Sequence, residues 1–303
     1  MERTRSVSAG RPFSSEGVVQ HIRYRWCAGK KEMSLNESPV RDRKELVELL
    51  PCIPFAHDDI NFVQGPPEMQ RFFFDQILSL YDPYFIDVLR SYRKLLRQRN
   101  AVLKGNDHGL LSVYDEHLAA HGLTLQQRRS AACERFSRTF STLFAEVSGL
   151  SGSLRIEYRP SWPPDANANT VQEELARRRD QDAYMRTTTS GPHRDRFLFF
   201  WDDAEFTRVA STGQVRLASL LLRVSQAQFF TSQTERKALL LLDDVLLELD
   251  PVRRARFFGV LPAYEQAFFT FLPDEHFTRF RKAGTLLYRV LNGSVTPYDE
   301  GVL

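Results

Sequence analysis

An apolar run that ends in two adjacent carboxylates is the feature of this sequence with the clearest chemical potential. Residues 238–242 are one alanine and four leucines, and Asp243 and Asp244 follow directly. This pattern predicts a buried parallel strand, and ligands of open α/β sheets bind beyond the carboxyl ends of such strands. Asp243 can hold Mg²⁺ on a nucleotide, and Asp244 can orient the attacking water or accept its proton. The alternative is a strand that ends in polar residues where it reaches solvent.

A second motif, Ser211-Thr212-Gly213-Gln214, stands directly before an amphipathic run. One interpretation is a capping box, with Ser211 as the N-cap and Gln214 at the third helical position. The other is an anion site, in which Gly213 permits close backbone approach and the helix N-terminus attracts a phosphate. We favour the anion site, because the acids follow about twenty-five residues later, the length of one crossover helix in a parallel unit.

Two further polar residues stand next to apolar runs. Asp250 precedes Pro251, which is typical of a helix N-cap, although a contact across a dimer interface would also explain it. Thr270 ends another apolar run, where it either senses a γ-phosphate or is an ordinary strand end. The triplet His193-Arg194-Asp195 does not indicate a protein-kinase loop, because Phe200 occupies the position of that loop's asparagine and the sequence has no D-F-G motif.

Basic side chains lie off the apolar stripes of two predicted helices. Arg93 and Arg97 belong to the helix expected over residues 66–104, and Arg177 and Arg178 to the helix expected over 171–186. Long basic side chains commonly coat amphipathic helices without any ligand, so a solvated face is the default explanation. The alternative is a surface that follows the phosphates of a nucleic acid.

Composition narrows the function classes. The 303 residues, 42% of them hydrophobic, suit two compact lobes or one α/β domain with a large insertion. The 41 basic and 38 acidic residues nearly cancel, so any affinity for nucleic acid must come from local patches. The three cysteines are widely spaced without a C-x-x-C, which argues against a disulfide framework or structural zinc and fits a reducing cytoplasm. We expect neither export nor a membrane span, since no apolar run approaches about 20 residues.

Periodicity and turn residues predict a helical middle section followed by a strand-rich section. Helices are expected over residues 41–50, 66–104, 112–148, 171–186, 211–230 and 251–264, and strands over 18–26, 154–159, 196–201, 206–210, 238–245, 266–271 and 285–291. The serine-, arginine- and glycine-rich residues 1–20 are expected to be a loosely ordered lead-in. Asn292-Gly293 predicts a hairpin turn.

Taken together, these residues resemble the RecF family of DNA replication and repair proteins, which are relatives of ABC-type ATPases and of the SMC and Rad50 group. The resemblance covers roughly residues 10–300. Three motifs carry it: Gly191-Pro192-His193-Arg194-Asp195; Ser211, Gly213, Gln214 and Arg216 of the signature S-x-G-Q-x-R; and residues 241–245 and 248–250 of the Walker B strand and D-loop. Further matching segments are residues 55–60, 65–67, 71–75, 92–100 and 103–104. Arg196 replaces the last aspartate of the family's G-P-H-R-D-D, and Leu247 stands where serine is usual.

The resemblance implies an α/β fold, namely an ABC-type ATPase lobe with a mixed sheet and flanking helices that carries an inserted helical lobe. The ATPase lobe would comprise residues 1–65 and 190–303, and the helical lobe residues 66–189. ATP and Mg²⁺ would be the cofactors, with Asp243 on the metal, Asp244 catalytic, and Ser211, Gly213, Gln214, Arg216, Asp250 and Thr270 at the nucleotide. Two protomers would sandwich ATP, each lending its signature to the nucleotide held by the other.

The resemblance also implies the partners. The ATP-bound homodimer would clamp double-stranded or gapped DNA in the cytoplasm and assist RecA loading together with RecO and RecR during the response to DNA damage. Weak DNA-stimulated ATPase activity is implied as well. DNA affinity would be largely electrostatic, with Arg93, Arg97, Arg177 and Arg178 as candidate phosphate contacts.

One component of such a machine is missing from the sequence, which contains no G-x-x-x-x-G-K-[ST] loop. Family members begin with a strand, this loop and a helix, and residues 28–31 (Ala-Gly-Lys-Lys) lack the preceding glycines and the following serine or threonine. We expect the chain as it stands to bind ATP weakly or not at all, and we expect the true polypeptide to start upstream. The alternative is an ATPase-dead module that binds DNA or a protein partner. The ATP subunit of a transporter is disfavoured, because the basic helical insert resembles RecF.

Overall fold

The structure, a computed structural model, describes residues 7–15, 18–27, 30–105, 109–245, 249–272 and 284–298. The strands in these ranges are β1 (Val7–Ser15), β2 (Val18–Cys27), β3 (Lys30–Leu35), β4 (Ser38–Pro39), β5 (Cys52–Phe55), β6 (Leu154–Arg159), β7 (Arg196–Trp201), β8 (Ala204–Glu205), β9 (Leu239–Leu242), β10 (Ala267–Phe269), β11 (Tyr288–Leu291) and β12 (Ser294–Pro297). The helices are α1 (Arg43–Leu49), α2 (Asn61–Gln64), α3 (Pro67–Tyr81), α4 (Pro83–Lys104), α5 (Leu111–Ser148), α6 (Ala168–Arg177), α7 (Arg179–Met185), α8 (Phe206–Val209), α9 (Thr212–Thr234) and α10 (Pro251–Val260). Short 3₁₀ turns occupy His57–Ile60 and Pro192–Arg194.

The first four strands form an antiparallel sheet in the order β1-β2-β3-β4. Strand β1 pairs with β2 along its whole length, from Val7 opposite Trp26 to Ser15 opposite Val18. The expectation of a loosely ordered lead-in is therefore wrong for residues 7–15 and 18–20, and residues 1–6, 16 and 17 lie outside the described ranges. Composition misled here, because a serine- and glycine-rich segment is ordered by its backbone ladder to a β2 strand rich in β-branched and aromatic residues.

A parallel sheet holds the predicted acidic strand at its centre. Strand β9 is hydrogen-bonded to β5 on one side and to β10 on the other, with Leu240 opposite both Ile53 and Ala267. The prediction of a parallel strand is confirmed, although the strand proper ends at Leu242. The prediction that it is buried holds for one face only, because Leu240 and Leu242 are buried whereas Leu241 and the neighbouring Phe268 are exposed. Because all three strands run the same way, their carboxyl ends meet at one edge of the sheet.

A third sheet, in the order β6-β7-β8, confirms the strands predicted at 154–159 and 196–201. The strand predicted at 206–210 is wrong: the chain turns at Asp202, whose φ is 51°, pairs only Ala204–Glu205 as β8, and enters α8. Phe206 is buried against Phe144, with ring centroids 5.8 Å apart. The buried position of Phe206 favours the helical turn α8 over a longer β8 strand.

The hairpin predicted at Asn292-Gly293 is confirmed by strands β11 and β12. Both turn residues have left-handed backbones, with φ of 50° and 79°, as a two-residue hairpin of this kind requires.

Two of the predicted helices are each divided in two. The helix expected over 66–104 breaks at Asp82, which caps the next helix by accepting from the Tyr84 N–H at 3.1 Å, while Pro83 provides the first helical residue. The helix expected over 171–186 breaks at Arg178 into α6 and α7. Within the described ranges, no helix combines the length and the apolarity needed to cross a bilayer.

The main core is aromatic and contains side chains from the helical middle section and from the flanking strands alike. Phe74 of α3 stacks on Phe197 of β7 with ring centroids 3.9 Å apart, and Phe136 of α5 packs edge-on against Phe74 at 5.6 Å. The apolar face of α9 completes this cluster. A second cluster, around the fully buried Trp162 and Tyr92, joins α4, α5 and α6.

Candidate nucleotide site and neighbouring clusters

The structure brings three predicted site residues together at the carboxyl edge of the parallel sheet. The Thr270 hydroxyl lies 2.9 Å from Asp243 Oδ1 and 3.0 Å from Asp244 Oδ1, so its single proton bridges the two carboxylates. In return, the backbone N–H of Asp244 donates to the Thr270 oxygen at 2.8 Å. Both carboxylates are exposed to solvent. Thr270 is therefore a structural part of the acidic pair.

Asp244 has a left-handed backbone with φ of 52°. This conformation is uncommon outside glycine, and aspartate and asparagine tolerate it best. The hydrogen bond from Asp244 to Thr270 holds the residue in place at the strand end. Backbone strain of this kind concentrates at functional sites, where the surrounding structure maintains it.

The donor chemistry of this edge fits Mg²⁺ bound together with a nucleotide. Two carboxylates and a hydroxyl provide oxygen ligands, and Mg²⁺ characteristically takes one or two carboxylates and obtains its other ligands from waters and phosphates. Among the described residues, no group of three or more histidine, cysteine, aspartate or glutamate side chains is arranged to hold a metal ion.

The start of α9 confirms the capping box. The Ser211 N–H donates to Gln214 Oε1 at 2.7 Å, and the Gln214 N–H donates to Ser211 Oγ at 3.3 Å. Between them, Gly213 is exposed, and a Cβ added there would meet no heavy atom of the described residues within 4 Å. A helical glycine costs roughly 0.5–1 kcal/mol relative to alanine. The packing around Gly213 does not explain why a glycine is present at this helical position. The anion-site interpretation stays a prediction, and the open space beside Gly213 supports it.

Arg216, also part of the signature, ties α9 to the 3₁₀ turn that follows β5. Its guanidinium donates to the His57 carbonyl at 2.8 Å and to the His57 ring nitrogen Nε2 at 3.2 Å. Two helical turns further on, Arg223 forms a bidentate ion pair with Asp59, at 3.0 and 2.7 Å. Arg223 and Asp59 are both almost fully buried. The signature helix is therefore fixed to the carboxyl end of β5, the neighbour of the acidic strand.

Asp250 caps α10, as one of its two interpretations predicts. Its carboxylate accepts from the backbone N–H groups of Arg253 at 2.9 Å and Val252 at 3.0 Å. The Arg253 N–H, followed by the charge of the Arg253 side chain, lowers the pKa of Asp250. A role of Asp250 at a dimer interface stays a prediction. Residues 246–248 of the D-loop match lie outside the described ranges.

The four predicted DNA-contact arginines differ in how far their charge is already neutralised. Arg97 is exposed, and Arg93, with 55% of its side chain exposed, reaches the buried Asp75 at 3.3 Å. Arg177 and Arg178 both pair with Glu174 on their own helix, and these contacts, that of Arg178 first, lower the pKa of Glu174. Their part in DNA binding stays a prediction.

Sequence reasoning missed a buried ionic cluster beneath the G-P-H-R-D segment. Arg129, on the apolar stripe of α5, is 3% exposed and pairs with Asp75 at 2.9 Å and Asp195 at 3.0 Å. Asp195 also accepts from the Tyr158 hydroxyl and from the Ser161 N–H. Burial raises the pKa of the Asp195 carboxyl. The only sequence signal was an arginine at a helical position otherwise reserved for the core.

His193 is held in the same segment by two hydrogen bonds. Its Nε2 lies 2.8 Å from the Thr188 carbonyl, and its Nδ1 lies 2.7 Å from the Tyr92 hydroxyl. Burial, reinforced by nearby arginines, lowers the pKa of His193 to about 4. The histidine thus orders the loop between α7 and β7 as a neutral side chain.

A parallel sheet edged by paired acids, a capped helix fixed beside it and a helical section inserted between β5 and β7 give this chain the fold class of ABC- and SMC-type head domains. The fold agrees with solved structures. The chain superposes on RecF with ATP, described as a recombination mediator protein in the RecFOR pathway, with a TM-score of 0.80 and 24% identity, over 93% of this chain and 76% of the other. It superposes on an Smc head bound to the C-terminal winged-helix domain of ScpA with a TM-score of 0.50 and 15% identity, over 93% and 69% of the two chains.

The sequence comparison is more specific than the fold. The chain is 42% identical to the DNA replication and repair protein RecF of Treponema pallidum over 266 residues, which cover 88% of this chain and 75% of that protein. It is 33% identical to RecF of Symbiobacterium thermophilum, over 90% of this chain and 76% of that one. No family model matches the sequence. The chain belongs to the RecF family of DNA replication and repair proteins.

Proposed function

We propose that this protein acts in DNA replication and recombinational repair as an ATP-dependent dimeric clamp on double-stranded or gapped DNA. The observation that carries the proposal is the pair Asp243 and Asp244, bridged by Thr270 at the carboxyl edge of the parallel sheet. Paired acids at this position are the place where a nucleotide-bound metal is held in α/β ATPases. The relatives named RecF support the process in which the protein acts.

Each residue of the edge has a part in the proposed mechanism. Bound Mg²⁺ would supply positive charge to the phosphates of ATP, and Asp243 would hold it. Asp244 would orient the attacking water and accept its proton, and Thr270 would fix the distance between the two carboxylates. Exposure of both acids suits this role, because a nucleotide must reach them from solvent.

The signature at the start of α9 would contact the nucleotide of a second copy of the chain. Ser211 and Gln214 satisfy one another in the single chain, and the space beside Gly213 is open. An incoming phosphate would meet the exposed residues Thr212 and Gly213 and the positive end of a 23-residue helix there. This arrangement would make dimer formation depend on ATP, with Arg216 and Asp250 lining the same interface.

The partners are proposed from the likeness to RecF of the RecFOR pathway. The clamp would act with RecR and RecO, assist the loading of RecA on gapped DNA, and work in the cytoplasm. Arg93, Arg97, Arg177 and Arg178 would contribute phosphate contacts. Affinity of this electrostatic kind falls steeply with salt.

A second candidate function rests on the sequence itself, which contains no G-x-x-x-x-G-K-[ST] loop to cradle the phosphates. In that case the chain would be a DNA- or partner-binding module that does not use ATP. Asp243, Asp244 and Thr270 would then have only a structural role, as a hydrogen-bonded group at the edge of the parallel sheet that binds no metal.

The two functions are separated by the effect of ATP and Mg²⁺ on DNA affinity. For the clamp, we expect ATP·Mg²⁺, added at concentrations that saturate the weak site expected of a chain without the G-x-x-x-x-G-K-[ST] loop, to tighten binding to gapped duplex DNA about 10-fold, a coupling of about 1.4 kcal/mol. We also expect it to produce dimers in sedimentation velocity. The Thr270→Val and Asp244→Asn variants should lose this coupling and keep their ATP-free DNA affinity. Asp203→Asn, an exposed carboxylate in the turn before β8, is the matched control. DNA binding that ignores ATP would establish the module instead, and a wild-type protein that does not bind DNA would contradict both.

A further inference from the structure

The solvent face of the β6-β7-β8 sheet carries a concentration of arginine. Strands β6 and β7 alternate strictly, with Leu154, Ile156, Phe197 and Phe199 buried in the core. Their outward positions are occupied by Arg155, Glu157, Arg159, Arg196, Leu198 and Phe200, which we call the arginine face. The three arginines are exposed. None of them belongs to the helical surface discussed above.

Two of these arginines face one another across the strands. Arg159 and Arg196 are register partners in the antiparallel ladder, so their Cβ atoms lie roughly 5 Å apart on the same side of the sheet. Like charges directly opposite each other destabilise a sheet. Nothing in the packing of the core requires a cation at either position, because both side chains point to solvent. The pair is therefore a cost to the fold unless it serves another purpose.

The acids on this face do not neutralise it. Glu157 pairs with Arg159 at 2.5 Å, and Glu205 of β8 pairs with Arg208 of α8 at 2.8 Å. Arg155 donates to the main-chain carbonyl of Asp202 rather than to a carboxylate. Within the described ranges, Arg155 and Arg196 have no ion pair, and the face keeps a net positive charge.

Phe200 arranges the guanidinium groups. Arg155 and Arg159 lie over its ring, with guanidinium carbons 4.8 and 5.5 Å from the centroid. Cation–π contacts of this kind hold a guanidinium flat while its N–H groups stay available at the edge. Because both guanidinium carbons lie within 5.5 Å of the same ring centroid, the two groups converge on one patch of the sheet, where they can contact neighbouring phosphates of one nucleic-acid strand.

We propose that the arginine face is a nucleic-acid backbone site, in which Arg155, Arg159 and Arg196 contact the phosphates of bound DNA. Bidentate N–H donation to phosphate oxygens is the recognition for which arginine geometry is suited. The contact carries no sequence preference, because phosphates position a protein without specifying bases. This proposal rests on the DNA binding proposed above and adds a surface to it.

The test measures affinity and salt dependence for a gapped duplex by fluorescence anisotropy on the full chain. The variants are the double substitution Arg159→Gln, Arg196→Gln and the charge-preserving Arg196→Lys. Arg208→Gln is the matched control, since this neighbouring arginine is 80% exposed and already paired with Glu205. Each lost phosphate contact lowers the slope of log affinity against log salt by about 0.9, or roughly 8-fold in affinity at 0.1 M salt. The double variant should lose about two contacts. Arg196→Lys should keep the salt slope of the wild type but bind more weakly, because lysine cannot donate in a bidentate way. Arg208→Gln should match the wild type in both.

A second measurement separates binding from folding. Arg196→Asp places opposite charges across the strands at the Arg159 position, so its melting temperature at low salt should equal or exceed that of the wild type while its DNA affinity falls. A lower melting temperature would overturn the argument that Arg159 and Arg196 repel each other across the strands even though Arg159 is paired with Glu157.

The remaining outcomes are distinguishable. If the wild type binds DNA and the double variant binds with the same affinity and salt slope, the arginine face is not a DNA contact and the proposed function stands. If the double variant loses affinity for polyglutamate but not for DNA, the face recognises an acidic protein instead and the proposal is wrong. If the wild type binds no DNA at low salt, this proposal and the proposed function fail together.

Discussion

Lowering the pH should destabilise the protein through one buried histidine. The Thr188 carbonyl can only accept, so the His193 nitrogen that it contacts, Nε2, must carry the ring proton. Nδ1 then accepts from the Tyr92 hydroxyl. The neutral ring satisfies both of its nitrogens. A second proton would confront the Tyr92 hydroxyl with another donor and would place a charge at a largely buried position, where burial disfavours it.

The magnitude follows from the difference in pKa between the folded and unfolded chains. Burial first, and then the charges of Arg194 and Arg71, lower the pKa of His193 to about 4 from an ordinary value of 6.5, while the hydrogen bond to the Thr188 carbonyl and, to a smaller extent, the charge of Asp182 oppose them. The unfolded chain therefore takes up the proton first as the pH falls. The stabilisation is present above pH 6.5 and is lost as the pH falls towards 4. Linkage gives a loss of about 2 kcal/mol between pH 8 and pH 5, and about 3 kcal/mol at pH 4.

Carboxylates also titrate in this range, so the measurement is a difference between two proteins. Urea unfolding is followed at pH 8 and pH 5 for the wild type and for His193→Gln, whose amide keeps one donor and one acceptor and does not titrate. The wild type should lose about 2 kcal/mol more than the variant. Equal losses, or an NMR titration of the His193 ring centred near 6.5, would refute the reasoning.

Three substitutions test other contacts. Arg223→Met leaves Asp59 buried without its partner and should lower the unfolding free energy by about 3–5 kcal/mol in urea titration; adding Asp59→Asn should restore part of it, and a loss below 1 kcal/mol would contradict the buried pair. Gly122→Ala places a Cβ 2.5 Å from the Trp162 ring, so it should cost about 1–3 kcal/mol despite the better helix former, and an unchanged melting temperature would show that this contact yields. Gly213→Ala should instead raise the calorimetric melting temperature by about 1 °C, which is a stabilisation of about 0.5–1 kcal/mol divided by the unfolding entropy of a 303-residue chain. The same substitution should weaken ATP-dependent dimers in sedimentation. A lower melting temperature would show that the chain itself needs the glycine.

The sequence predicts those features that depend on local pattern. Periodicity indicates α9 and the parallel strand β9, and parallel strand ends account for the meeting of Asp243, Asp244 and Thr270 at one edge. The resemblance to the family adds the interpretation of Ser211, Gly213, Gln214 and Arg216 as a signature motif. These predictions succeed because each rests on neighbours in the chain or on a rule of sheet topology.

The features that the sequence does not predict depend on distant partners. Arg223 and Asp59 are 164 positions apart, and Arg129 and Asp195 are 66 apart, so no local pattern shows that these arginines are buried and paired. Strand β1 is likewise ordered by its ladder to β2 rather than by its own composition. The open space beside Gly213 is also visible only in three dimensions.

The phenylalanine stack between Phe74 and Phe197 has a consequence for anyone who exchanges parts between relatives. Phe74 lies in the helical section and Phe197 in the strand-rich section, and Phe136 packs against the same ring from a third element. A chimera that takes residues 66–189 from another family member would set that member's residues against Phe197 of this chain at this stack. A stable chimera must therefore keep Phe74, Phe136 and Phe197 from the same protein. The boundaries of an exchange are set by this stack rather than by the peptide bonds at residues 66 and 189.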